Sequence, residues 1–358
     1  LIRRTRYLEP SHGFRYKFGY SNLMFLTAGE IIPVASGMSW DGFIEERILQ
    51  SLGMKNTTLS LEGITGKDNV ASPHYVDLLG NNTQVLLHRN LENIAPAMGM
   101  NSDVMDLARW MRFQLSMGQW EGDQLVSREN LWETRKLHTE QSPELHLKRI
   151  WPSMHYQGYG LGWDLYDYHG WKVIAHEGGL EGMVSRLFMV PDEQFGFVML
   201  TNSMNGLTTG LEYFILDQYY QGKSYDWSAI LLESIKSYHS GLQSEWTEYI
   251  DNADKTLKPS LKLKKYGGIY GGELYGNVEV RKGKEGLILD FLQSDMLIGD
   301  LKEFSKDTFL IDLRNMPNLP QGTVKFYLDG KGNVGEIIID IPNPDFDFTE
   351  LELKRIED

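Results

Sequence analysis

Phe18-Gly19-Tyr20-Ser21-Asn22-Leu23 opens an apolar run with helical spacing, and the rest of the chain is read outward from it. Leu23, Leu26, Ala28 and Ile31 fall on one broad face, which predicts a helix over residues 23–35. Pro33 is expected to kink or end it, because proline lacks the backbone donor and crowds the preceding turn. Ser39 then reads as an N-cap, with Trp40, Phe43, Ile44, Ile48 and Leu52 at helical spacing and Gly53 as a left-handed terminator. Tyr20 and Asn22 bracket the start of the first helix. A phenol beside a lysine ammonium can relay a proton, and an asparagine two residues on can bond both that lysine and a substrate carbonyl. The plainer alternative is a tyrosine packed at a helix start with Asn22 near the cap.

Downstream, residues 55–99 are irregular, with short strands expected around Val70–Val76 and Gln84–His88. A helix is expected from Ser102 to Gly118 and another, capped by Ser127, to about Leu137. The period then changes to that of strands at Gly160–Tyr166, Trp171–Glu177, Met183–Val190 and Phe195–Thr201, an antiparallel meander followed by a helix over Leu207–Tyr220. Two amphipathic pieces, Trp227–Tyr238 and Glu245–Ala253, form a helical connector over residues 223–258. Beyond it come short apolar alternations at Asn277–Arg281, Leu287–Leu292, Leu297–Phe304, Thr308–Leu313, Thr323–Leu328, Val334–Asp340 and Phe346–Leu353, with a hairpin signal at Asp329-Gly330-Lys331-Gly332-Asn333. Seven or eight antiparallel strands predict a small barrel or sandwich over residues 259–358.

The meander carries a second informative stretch, Ala175-His176-Glu177-Gly178-Gly179-Leu180. With Tyr20-Ser21-Asn22, and with flanks such as Ile48-Leu49-Gln50-Ser51-Leu52-Gly53-Met54 and Asn101-Ser102-Asp103-Val104-Met105-Asp106-Leu107-Ala108-Arg109-Trp110, it resembles the penicillin-binding and class C β-lactamase-like serine hydrolases. The resemblance implies an α+β, β-lactamase/transpeptidase-like domain over residues 1–222, truncated at its N-terminal side, in which helices flank an antiparallel sheet. It also implies a lipocalin-like all-β barrel after the connector. By the same resemblance Tyr20, Asn22 and His176 are the catalytic candidates. Gly178 and Gly179 border the substrate, and the Gly179 amide serves as an oxyanion donor. A histidine where relatives carry Lys-Thr-Gly favours a peptidase or esterase over a true β-lactamase.

The family nucleophile sits in Ser-x-x-Lys, where one helical turn brings amine to hydroxyl. No serine or threonine among these 358 residues has a lysine three positions on, and only 19 residues precede Tyr20. The nucleophile is therefore expected from a segment outside this chain, in the same gene product or in a partner chain. A partner or self-association is then expected to cover the face that the segment would occupy. The alternative is a non-catalytic relative that binds or scaffolds.

Composition narrows the partners. With 49 acidic against 35 basic residues, the net charge of −14 repels nucleic acid; the resemblance implies a small amide, ester or peptide as the substrate. There are no cysteines, hence no disulfides or thiolate sites. The histidines show no paired ligand spacing, so neither metal nor cofactor is expected. Gly158-Tyr159-Gly160-Leu161-Gly162 superficially matches a nucleotide loop but leads into a strand. No apolar run reaches the roughly 18 residues of a membrane span, and the absence of cysteines suits an exported, periplasmic or extracellular protein.

Overall fold

The computed structural model describes all residues except 77–81, 86–90, 143–153, 181, 221–224, 285, 317–318, 344–345 and 357–358, and the side chains of residues 82 and 92. The expected strand at Gln84–His88 and the turn at residue 181 lie partly outside the described residues. The chain divides into two compact units, Pro10–His239 and Ser240–Asp358, the latter together with Leu1–Glu9.

In the first unit, helix α1 (Asn22–Ser36) runs through Pro33 and ends at Gly37, whose left-handed backbone (φ +74°) returns its N–H to the Pro33 carbonyl. Pro33 thus stays inside the helix, which runs three residues past it to Ser36, one beyond the expected end. Its missing donor orphans only one carbonyl in the penultimate turn. The helix is also held by tertiary contact, since Gly29 lies so close to Pro96 that a Cβ there would overlap the proline ring. Helix α2 (Trp40–Ile44) is capped by the Ser39 hydroxyl, which accepts from Gly42 N–H at 3.1 Å, and continues as a π-helical turn to Gln50.

Strands β1 (His74–Val76) and β2 (Asn82–Gln84) belong to a small separate sheet, followed by helix α3 (Ala95–Met98). Helix α4 (Val104–Leu115) starts two residues after the expected Ser102 and is capped by Asp103, whose carboxylate accepts from the free amides of Met105 and Asp106 (2.9 and 2.8 Å). A short hairpin, β3 (Gln119–Trp120) and β4 (Asp123–Gln124), leads to α5 (Arg128–Thr134), which Ser127 caps as expected.

The main sheet is antiparallel and follows chain order: β5 (Thr139–Gln141), β6 (Gln157–Tyr159), β7 (Asp164–Tyr168), β8 (Trp171–Leu180), β9 (Met183–Val190) and β10 (Phe195–Thr201). Strand β11 (Ser203–Met204) then joins β1 in parallel. Alternation along the strands gives the sheet two buried faces. Leu165, Ile174, Leu187, Met189 and Val198 pack with Leu107, Trp110 and Met111 of α4. Tyr166, Val173, Ala175, Phe188 and Met199 pack with Leu211, Ile215 and Leu216 of α6 (Leu207–Tyr220). The result is a mixed α/β domain with helices on both faces of an antiparallel sheet.

Where two helical pieces are expected, α7 (Trp227–Asn252) is one continuous helix. Gly241 lies between the two expected pieces, but one glycine costs only about 1 kcal/mol in a helix interior and does not break it. The second unit is a closed barrel of eight antiparallel strands, β12 (Gly268–Gly272), β13 (Gly276–Lys282), β14 (Leu287–Phe291), β15 (Ile298–Ser305), β16 (Thr308–Leu313), β17 (Gly322–Leu328), β18 (Val334–Asp340) and β19 (Leu353–Arg355). Strand β19 pairs with both β18 and β12 and so closes the cylinder. The sequence pattern misses β12, because its glycines mask alternation. It also places the last strand too early, as Phe348–Glu350 is a helical turn that precedes β19. Tyr266, Tyr270, Phe309, Phe326, Val280, Leu289 and Ile337 fill the interior as one continuous core. Among the described residues no single helix is long and apolar enough to cross a membrane.

Candidate functional site

The site forms where β7 stops beside β8. Asp164, the first residue of β7, pairs with Ala175, and no β7 residue pairs with β8 beyond it. From His176 to Leu180, β8 pairs with β9, and among the described residues no strand pairs with its other edge. Within this segment Glu177, Gly178 and Gly179 are exposed.

Tyr20, from the stretch before α1, and His176, from β8, are brought together across this edge with ring centroids 6.2 Å apart. The Tyr20 hydroxyl donates to Asn22 Oδ1 at 3.3 Å. Four of the five expected site residues lie on β8 or beside it in this way, and Gly178 packs across to Ser185 of β9, where a Cβ would come 2.8 Å from its hydroxyl oxygen. Gly179 differs, since a Cβ there would meet nothing closer than Met204 Cε at 3.6 Å. Among the described residues, then, nothing crowds a Cβ at Gly179.

The pattern of sequence motifs misses Tyr159. Its hydroxyl lies 2.8 Å from His176 Nε2, and its ring is 6.1 Å from that of Tyr20 and 5.5 Å from that of Phe18. The signal was the pair of glycines around it. A side chain at Gly158 would overlap Leu137 and the Thr139 carbonyl, and one at Gly160 the Thr134 carbonyl. The glycines let β6 lie tightly against β5 and the end of α5, and so deliver Tyr159 to the site.

Charge around the rings is mainly acidic. Burial, then Asp164 and Glu177, raise the Tyr20 phenol above its usual range, so it is a protonated donor here. Burial likewise raises the Asp164 carboxyl, against the pull of His176 and Arg186. Arg186 of β9 bonds both Glu177 and the fully buried Glu212 of α6, which also accepts from the Tyr166 hydroxyl. Burial works against the Arg186 charge, but Glu212 outweighs it and keeps the guanidinium protonated. This chain of contacts anchors the residue next to His176 to the helix behind the sheet. Among the described residues no three His, Asp or Glu side chains gather as ligands for a metal.

Residues 1–220 match the Beta-lactamase family, and the chain belongs to it. Residues 252–355 match a domain of unknown function, DUF3471. Two fungal relatives are described as "Unguisins hydrolase": ungD' of Aspergillus campestris, 27% identical over 300 residues, and ungD of Aspergillus violaceofuscus, 23% identical over 297 residues. Each match covers 78% of this chain and 52% of the relative, so the chain spans about half the length of the curated relatives it matches. Among solved structures, the octameric penicillin-binding protein homologue from Pyrococcus abyssi matches with a TM-score of 0.47 and 18% identity, over 96% of this chain and 66% of the other.

Proposed function

We propose that this chain supplies two walls of a serine-hydrolase site that cleaves an amide or ester, with the nucleophilic Ser-x-x-Lys carried outside these 358 residues. The observation that supports the reading best is the convergence of Tyr20 and His176, 156 positions apart in sequence, at 6.2 Å beside the edge of β8 that no described strand pairs with. The two fungal relatives named as hydrolases support the reaction class.

In this reading an extended substrate lies along this edge of β8, taking backbone hydrogen bonds from it. The Glu177 carbonyl faces the His176 ring on that edge (2.6 Å to Nδ1). Gly179, two residues on, presents its N–H in the same direction by the two-residue period of a strand. That N–H holds the carbonyl oxygen as negative charge develops on it. The serine oxygen attacks the carbonyl carbon and its proton passes through lysine and Tyr20 to the departing amine or alkoxide. Water then cleaves the acyl-serine and restores the hydroxyl. With acids as its neighbours in this chain, Tyr20 is a donor. A lysine beside it would lower the phenol and let it also accept. Asn22 holds the Tyr20 hydroxyl and the lysine in register. The same outside segment, or a partner, would cover apolar side chains left exposed on α1, among them Val34 at 88% and Ile31 at 60%.

The test is to sequence the N-terminus of the native product and treat it with a fluorophosphonate or a tagged penicillin. A Ser-x-x-Lys segment and one covalent adduct are expected. A native product that takes no label supports instead a relative that binds without reacting.

A further inference from the structure

We infer that Tyr159 is the positioning residue of this site: whenever the His176 ring is neutral, the Tyr159 hydroxyl selects its Nδ1–H tautomer, and the Tyr159 ring packs against both Tyr20 and that histidine. The chemistry of the partners decides the tautomer. His176 Nδ1 lies 2.6 Å from the Glu177 carbonyl oxygen, which can only accept, so Nδ1 carries the hydrogen. A neutral imidazole then has a bare lone pair on Nε2, and the group 2.8 Å from it is the Tyr159 hydroxyl, which donates. Burial, then Tyr20 and Asp164, raise the Tyr159 phenol, so this donor keeps its proton.

Both nitrogens of His176 are thereby engaged by the protein, and the ring offers the cleft no N–H. Holding a substrate carbonyl falls to the backbone of β8. The three rings stand as a triangle, with centroids 6.1 Å apart for Tyr20–Tyr159, 6.2 Å for Tyr20–His176 and 6.1 Å for Tyr159–His176. Tyr159 is its buried corner at 9% exposure, whereas Tyr20 is 49% exposed. Among the described residues, Asp164 of β7 and Glu177 of β8 act electrostatically on Tyr20, and Arg186, bound to Glu212 behind the sheet, acts on Asp164. Only the meaning for catalysis rests on the hydrolase reading; the tautomer stands apart from it.

The test is long-range ¹H–¹⁵N NMR of the histidine rings in the full chain, with His176 assigned by its loss in His176→Gln. In the wild type, at a pH where the ring is neutral, the Nδ1–H form should predominate. In Tyr159→Phe, losing one hydrogen bond should move the tautomer ratio about fivefold toward Nε2–H, while thermal melting checks that the variant folds. A wild-type ring found mainly as Nε2–H overturns the inference even if the variant does not fold, and so does an unchanged ratio in a folded Tyr159→Phe. No substrate is involved, so the outcome is independent of whether a serine is ever labelled.

Discussion

Replacing Glu212 by glutamine tests the buried ion pair that anchors β9 and the His176 strand to α6. Glu212 is fully buried and the Arg186 side chain is only 12% exposed. Removing one partner of such a pair leaves an uncompensated buried charge and costs about 3–5 kcal/mol. Arg186 retains Glu177, whose side chain is 58% exposed and screened by solvent, so that contact recovers little. Glutamine keeps the volume and can still accept from Tyr166, which puts the expected loss near the lower bound, about 3 kcal/mol. For a unit of this size that corresponds to a fall in Tm of about 6–12 °C. Eight of the nine tryptophans lie between Pro10 and His239, so tryptophan fluorescence in a urea or thermal melt follows this unit. The combined change Arg186→Met, Glu212→Leu and Tyr166→Phe should return most of the loss, because apolar packing then replaces both charges together with the buried hydroxyl that Glu212 accepts from. A Glu212→Gln variant within about 1 kcal/mol of wild type would refute the claim that this pair is desolvated and structurally coupled.

Two further outcomes follow from the described contacts. Gly179→Ala should leave the melting temperature unchanged, since among the described residues a Cβ there meets only Met204, at 3.6 Å, yet slow serine labelling of the native product by up to about a hundredfold if substrate lies against that residue and is displaced; equal labelling rates would place the substrate elsewhere. In the barrel, burial disfavours the Asp307 charge, but bonds from Tyr266 and from the Ser260 amide and hydroxyl (2.9 and 2.8 Å) outweigh it and hold the carboxyl below the usual range. A depressed folded-state pKa stabilises above the ordinary aspartate value of about 4 and is lost as pH falls through the folded value. Asp307→Asn should therefore destabilise the barrel near neutral pH and flatten its acid sensitivity below about pH 4; an unchanged acid limb in a circular-dichroism titration would contradict this.

Much of the fold is legible because local chemistry and tertiary structure agree. Ser39 and Ser127 cap helices where the pattern places them, and the strands Met183–Val190 and Phe195–Thr201 keep their expected bounds. The departures occur where tertiary contact overrides a local signal. Pro33 stays helical because α1 is packed against Pro96, and Gly241 stays helical inside α7. Strand β12 has five residues, of which three are glycine, so nothing in it alternates. At the site, Tyr20, Asn22, His176, Gly178 and Gly179 are visible as motifs. Tyr159 is not, because its role depends on two glycines whose meaning is steric and appears only once β5 and the end of α5 lie against them. Arg186 and Glu212 are equally silent, since 26 positions separate them and only the sheet-on-helix packing makes them a pair.

The central claim is that Tyr20 serves a nucleophile held outside residues 1–358. The direct measurement is the rate at which a fluorophosphonate acylates the native product, with and without Tyr20→Phe, followed by peptide mapping of the labelled serine. Loss of the proton relay should slow acylation by about 10²–10⁴-fold, with the adduct on a serine of a Ser-x-x-Lys segment. An unchanged rate in the folded variant, or an adduct on a serine between Leu1 and Asp358, would contradict the account.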